Sequence, residues 1–284
     1  MLGSVFSPFY AKARAHRKAV DPLDHCALNV ALYTPRGKVW SLNERGRHHV
    51  HRDASSLTLG ASVITWTRDT LVFHLHERST PFLTARPLGD TPIVGKVTLH
   101  PRVRIDEPYA LDGMGAHLWW SVAPLARVDV ELDEPRLRWT GHGYHDANAG
   151  DGPLEDTFTR WDWARATVGD DAVIVYDPLT RDGLRRPHAR RITPSGHVDP
   201  VELPRHCRLP RTPWGIQRAT RSDGPTVQVR QTLEDTPFYA RSVLDTTLLG
   251  RSVEAVHETL DLDRFQKRWV QFLLPFKTRR LSPW

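Results

Sequence analysis

Cysteine is nearly absent from this chain of 284 residues: Cys26 and Cys207 stand far apart, with no Cys-x-x-Cys spacing. That argues against a thiol-rich zinc site and a disulfide framework, and it fits a reducing cytoplasm. Long hydrophobic runs are missing as well. The longest, Trp269 to Phe276, falls well short of the ~20 residues that a membrane-spanning helix requires and is interrupted by Pro275. Any membrane contact is therefore expected to be peripheral. The start, Met1-Leu2-Gly3-Ser4-Val5-Phe6-Ser7-Pro8, has no leading basic region and places Pro early, so it reads as folded chain rather than a secretory signal. Helical periodicity is scarce too. Only Pro8 to Ala19 reads as a short helix, and 22 Pro suit turns and strand ends better than helix interiors.

What is present is the composition of a globular chain, with 39% hydrophobic and 25% charged residues, enough to bury a sizeable core. Ten Trp argue for broad cores or aromatic-lined cavities. With 39 Lys and Arg against 33 Asp and Glu the chain is basic, which permits anionic lipid, nucleic acid or an acidic protein as partner. The basic residues gather at Arg181–Arg191 and Lys277–Arg280, where a solvated loop and a solvated tail are the plain readings. Arg181–Arg191 lacks interleaved aromatics, and no nucleic-acid-binding signature occurs, so nucleic acid is not expected as a partner.

Strand signals dominate. Runs rich in Val, Leu, Trp and Thr, bounded by Pro, Gly and Asp, predict strands over 26–33, 38–42, 62–66, 70–76, 96–100, 117–122, 127–132, 136–140, 158–166, 172–176, 226–232, 238–248, 252–261 and 269–274. Thr67-Arg68-Asp69, Arg181-Asp182-Gly183 and Ser222-Asp223-Gly224 can close hairpins, so the pairing is expected to be mostly antiparallel. The glycine-rich, acidic stretch Gly141 to Asp156 separates two groups of strands. It places a boundary near Gly152, between units of residues 1–152 and 153–284; one continuous sandwich or barrel is the alternative.

Two constellations carry chemistry. In strand-like sequence, side chains two apart share a face, so His117 goes with Trp119, and Tyr144 with Asp146. If both strands border one cavity, an acid, an imidazole, a phenol and an indole furnish it, a set able to protonate an alkene and shelter the resulting cation. The plainer alternative is aromatic core packing, with Asp146 capping a turn. Trp161 and Trp163 alternate with Arg160 and Asp162 and share a face, as core by default or as a grip on a ligand. The pair His74 and His76, with His48, His49 and His51, has no partner at a recognisable metal-ligand spacing.

The run from Gly141 through Gly143-Tyr144-His145-Asp146 to Asp156, followed by Phe158-Thr159-Arg160-Trp161-Asp162-Trp163-Ala164-Arg165-Ala166, resembles the signature of carotenoid 1,2-hydratases, also called hydroxyneurosporene synthases. Gly3 to Tyr10 and Asp21 to Tyr33 resemble the same family. The resemblance implies an all-β chain of two tandem lipocalin-like antiparallel barrel or sandwich units. It also implies hydration of the end group of acyclic carotenoids such as neurosporene or lycopene, and no cofactor. Asp146 matches the family's proposed acid, and Tyr144, His117 and Trp119 its other proposed site residues; Trp161 and Trp120 are expected to bind substrate. The family usually has a Trp- and Tyr-rich strand before the segment matching Gly3, so either the start is truncated or the first unit closes differently.

For such a reaction Asp146 must be held protonated by burial, since an ordinary Asp with a pKa of ~3.9 is ionised at neutral pH. Trp119 would be the wall and cation stabiliser, and Tyr144 or His117 would position water, with His117 orienting rather than acting as base. A sugar-active enzyme using Asp146 and Glu155, or a non-catalytic lipocalin-like carrier of an isoprenoid, are the other classes open to these residues. A polyene dissolves in lipid, so the protein is expected on the cytoplasmic side, peripherally bound to membrane, and the apolar and basic tail Phe272 to Arg280 suits that contact.

Overall fold

The computed structural model describes residues 6–16, 20–35, 37–80 and 91–281. In chain order its strands are β1 (Cys26–Thr34), β2 (Gly37–Arg45), β3 (Val50–Arg52), β4 (Ser56–Leu59), β5 (Ser62–Trp66), β6 (Leu71–Arg78), β7 (Pro92–Pro101), β8 (Tyr109–Ala110), β9 (His117–Glu134) and β10 (Leu137–Gly150). They continue as β11 (Phe158–Val168), β12 (Asp171–Thr180), β13 (His188–Ile192), β14 (Val198–Pro200), β15 (Arg205–Leu209), β16 (Arg218–Ser222), β17 (Gln228–Asp235), β18 (Tyr239–Leu248), β19 (Arg251–Asp261) and β20 (Arg279–Leu281). The described residues also form short α-helices: α1 (Pro8–His16), α2 (Leu154–Thr157), α3 (Leu262–Phe265) and α4 (Arg268–Leu273).

The expected all-β class holds, built as open sheets rather than closed barrels. One sheet of eight strands runs β10-β9-β7-β6-β5-β4-β3 with β8 on β9, and one of seven runs β14-β13-β12-β11-β19-β18-β17. β1-β2-β20 and β15-β16 form two smaller sheets, and β2 and β20 pair in parallel. The chain groups into two compact units: Met1–Pro101 with Ala126–Gly143 and Gln271–Trp284, and Arg102–Leu125 with Tyr144–Val270. Gly152 thus lies within the second unit, and Gly141 to Gly150 is strand.

In the first unit, alternating apolar residues bury Cys26, Leu28, Leu59, Leu75, Val130 and Leu132 in one cluster. A buried polar group sits beside them: Glu77 accepts from Arg45 at 2.8 and 2.9 Å, from Ser62 and from Asn43. Glu44, also buried, accepts from Arg280 and lies 3.0 Å from His25. In the second unit Ala166, Val168, Val173, Val175, Leu244 and Leu248 form the core on one face of the seven-stranded sheet. Each such Val or Leu contributes about 1.5–3 kcal/mol on burial.

Two expectations fail for identifiable reasons. Residues 269–274 form helix α4 and a following 3-10 turn, not a strand. Pro275 fits the first turn of that 3-10 helix, where a missing N–H costs nothing, and Val270 is the residue α4 buries. The two predicted strands 117–122 and 127–132 are one strand, β9. Pro124 falls between its stretch paired with β8 (at Leu118 and Trp119) and its stretch paired with β7 (from Ala126), so no ladder bond to either is lost. The helix expected over 8–19 is seen at Pro8–His16, with residues 17–19 outside the described residues.

Candidate active site

Residues 117–125 of β9 and 144–150 of β10 belong to the second unit. Alternation buries His117, Trp119 and Ser121 on one face of β9 and turns Trp120 to the other. On β10 the same period sets Tyr144 and Asp146 on one face. Their side chains meet: Trp119 Nε1 donates to Asp146 Oδ2 at 2.8 Å, and the Tyr144 hydroxyl donates to the same oxygen at 3.1 Å.

Both donors are neutral and both use Oδ2. Among the described residues no Lys, Arg or His pairs with Asp146, and no other side chain donates to Oδ1. Asp146 is closely surrounded by protein, yet keeps an accessible edge. Burial raises its carboxyl from the ordinary carboxylate range to about 6; the Trp119 bond opposes that, the negative charge of Glu258 adds to it, and the Tyr144 bond opposes it. Burial likewise raises the Tyr144 phenol well above its ordinary value, so it remains a donor.

The other wall is one face of the seven-stranded sheet. Cross-strand partners put His188, Tyr176, Trp163, Glu258 and Arg241 in a row across β13, β12, β11, β19 and β18. Tyr176, fully buried, meets Trp119 edge-on at 5.4 Å and Trp161 at 6.0 Å. Trp163 lies 5.5 Å from Tyr144, over which the Arg165 guanidinium sits at 5.4 Å. Arg241 holds Glu258 through Nε at 2.8 Å and Nη2 at 2.7 Å. His188 completes the row, stacked on Tyr176 at 5.6 Å and 15°.

Four of the six expected residues therefore gather around one carboxyl: Asp146, Tyr144 and Trp119 by hydrogen bonds, and Trp161 through Tyr176. His117 is buried two residues from Trp119, but its Nε2 bonds to the Thr157 hydroxyl at 2.9 Å, not to Asp146. Burial lowers its pKa, and its ring packs edge-on against Phe158 at 5.2 Å. Trp120 points away from the carboxyl. The motif glycines have a steric basis: a Cβ at Gly150 would lie 2.5 Å from His117 Nδ1, and one at Gly143 2.4 Å from Leu99 Cδ1. Tyr176, His188, Glu258 and Arg241 escaped the sequence reading; the alternation of strand 172–176 was the available signal for Tyr176 alone. Among the described residues, no three His, Cys, Asp or Glu side chains gather as a metal site.

Comparison with known proteins identifies the chain's relatives. The family model of the carotenoid hydratase CrtC matches residues 1–284. The acyclic carotenoid 1,2-hydratase of Thiocapsa roseopersicina is 43% identical over 99% of this chain and 68% of its own length. That of Rubrivivax gelatinosus is 39% identical over 98% and 68%, and that of Cereibacter sphaeroides 36% over 100% and 98%. In fold the chain is similar to the crystal structure of an AttH candidate from Nitrosomonas europaea, with a TM-score of 0.56 and 13% identity over 82% of this chain and 80% of that one. Kievitone hydratase from Nectria haematococca gives 0.53 and 9%, over 84% of both chains. The fold is lipocalin-like, and the chain belongs to the carotenoid hydratase family, as a hydro-lyase.

Proposed function

We propose that this enzyme adds water to the terminal trisubstituted double bond of an acyclic carotenoid such as lycopene or neurosporene, with Asp146 as the proton donor. The observation that carries this reading is an enclosed carboxyl with two neutral donors on one oxygen and, among the described residues, no cation beside it. Because Oδ2 accepts from Trp119 and Tyr144, the proton resides on Oδ1. Holding the carboxyl to about 6 rather than its ordinary 3.8 disfavours the anion by about 3 kcal/mol, which favours giving the enzyme a usable acid. A bound polyene, by excluding water, moves the same equilibrium further toward the acid.

Proton transfer to the less substituted alkene carbon leaves a tertiary cation next to the indole face of Trp119 and the phenol of Tyr176. Aromatic faces stabilise such charge by ~1–2 kcal/mol in a dry site. The Asp146 carboxylate, re-formed beside it, adds an electrostatic anchor while Trp119 and Tyr144 bond its Oδ2. Water then captures the cation to give a tertiary alcohol. His117, tied to Thr157, supports the Trp119 strand from behind. Trp161 serves the chain of the polyene. The sum is redox-neutral and needs only a proton and water, so we assign no cofactor.

The test is product analysis from lycopene and neurosporene with wild type and Asp146→Asn. Hydroxylated product from wild type only is expected; an Asn variant with near-normal turnover removes the acid role, and binding without conversion by wild type makes the chain a carrier.

Delivery of such a substrate favours a peripheral site on the cytoplasmic face of a membrane. No helix among the described residues is long and apolar enough to cross one. Helix α4 exposes Trp269 (45%) and Phe272 (69%) one turn apart, followed by exposed Phe276 (64%) and the half-buried Lys277. Flotation with anionic liposomes is expected to fall at least severalfold in Phe272→Ser; unchanged flotation would remove this surface from the proposal.

A further inference from the structure

Hydrating an alkene inside an aromatic enclosure requires a place for one water, and water stays in such surroundings only where polar atoms are left to hold it. His188 supplies them. Its ring lies 4.1 Å from Tyr109, 5.6 Å from Tyr176 and 5.8 Å from Trp119. Both ring nitrogens are buried without a side-chain partner among the described residues, and the one backbone group that reaches the ring, at Arg186, leaves the second nitrogen open. Native folds avoid leaving a buried imidazole unpaired unless a water, a ligand or a reaction uses it. Burial and the neighbouring Arg190 charge lower its pKa to about 4, opposed by a hydrogen bond to the Arg186 backbone. At neutral pH the ring is therefore uncharged and offers one N–H and one lone pair. Trp119 joins this ring to the carboxyl: its N–H bonds to Asp146, and its ring contacts His188.

We infer that His188 is the water-positioning residue of this site, one ring nitrogen holding the reactant water beside the Trp119 indole and taking its proton as the C–O bond forms. This rests on the hydration reading above. Asp146 gives its Oδ1 proton to the alkene, and the C=C electron pair forms the new C–H bond. The water oxygen donates a pair to the tertiary cation, and one water proton passes to His188. The imidazolium returns that proton to the Asp146 carboxylate, so one alkene and one water become one alcohol and both side chains are restored. Without a held water, the cation can only lose a proton back to the carboxylate and re-form an alkene.

That partition is measurable with lycopene in D2O. Wild type is expected to give deuterated alcohol. In His188→Phe, which keeps an aromatic ring in the stack but removes the nitrogens, hydration is expected to fall about 100-fold. The recovered lycopene of that variant still gains deuterium, because protonation and its reversal survive. Asp146→Asn gives neither product nor exchange. His188→Gln, which keeps a hydrogen-bonding head, is expected to retain about tenfold more hydration than the Phe variant. The inference is overturned if His188→Phe hydrates within about threefold of wild type, or if exchange and hydration fall together at an unchanged melting temperature. If the Phe variant does not fold, the Gln variant is read alone by the same ratio of exchange to hydration. Wild type showing neither hydration nor exchange would instead remove the hydration reading itself.

Discussion

Two carboxyls in the second unit, Asp162 and Asp146, lie on opposite sides of β11. Asp162 projects from the face that packs on β16, while Trp161 and Trp163 project toward Asp146. Both are enclosed by protein, so burial pushes both upward. For Asp162 that push is outweighed: His257 lies 3.8 Å away, Arg160 donates at 3.0 and 3.1 Å, and Thr259 and the Ala219 N–H add further bonds. Its pKa is lowered. For Asp146 an indole, a phenol and its own backbone N–H, all neutral, oppose burial, and its pKa rises to about 6. Charged partners thus make one carboxyl a structural anion, and neutral partners leave the other an acid.

Replacing each carboxyl by its amide sharpens that contrast. Asp146→Asn is expected to lower kcat about 10²–10⁴-fold, the range of general acid catalysis, measured by product formation from lycopene. The same variant should be more stable than wild type above pH 6. The folded pKa of Asp146 lies above its unfolded value, so native stability is full below about 3.8 and is lost as pH rises through about 6. The gain approaches about 3 kcal/mol at neutral pH and vanishes near pH 3, read by urea melts at both.

Asp162→Asn should do the reverse. It strands the Arg160 charge against a buried face, so a loss of about 3–5 kcal/mol in unfolding free energy is expected, with kcat per folded molecule unchanged. A stable Asp162→Asn enzyme with low kcat would break the comparison.

Smaller effects come from the neutral donors. Trp119→Phe removes the 2.8 Å bond that favours the Asp146 anion, a contribution of about 1.5–3 kcal/mol for a charged acceptor. The alkaline limb of kcat/KM should therefore move upward by about 1–2 pH units. Tyr144→Phe removes the longer 3.1 Å bond and should move it the same way by less. A downward shift in either would show that these groups do not stabilise the carboxylate.

The strands and the carboxyl with its two donors were legible from the sequence because a two-residue period puts Trp119 on the His117 face and Tyr144 on the Asp146 face. Periodicity does not give strand register, and register is what brings Tyr176, Glu258 and His188 to the site from residues far along the chain. His188 was hidden further: it lies in the basic run 181–191, where a solvated loop was the natural reading, yet β13 carries its ring inward against Tyr176. The segment 269–274 misled for a different reason. Its aromatic and branched residues suit a strand, but Arg268–Leu273 coils into α4 and leaves Trp269 and Phe272 exposed.

The protonation state of one side chain decides the account, and difference infrared spectroscopy of wild type minus Asp146→Asn reads it directly. A carboxylic acid C=O band belonging to Asp146 should be present at pH 5 and disappear with a midpoint near pH 6. A midpoint at or below the ordinary value of 3.8 would contradict it, because the carboxyl would then be an anion at every pH at which the enzyme works.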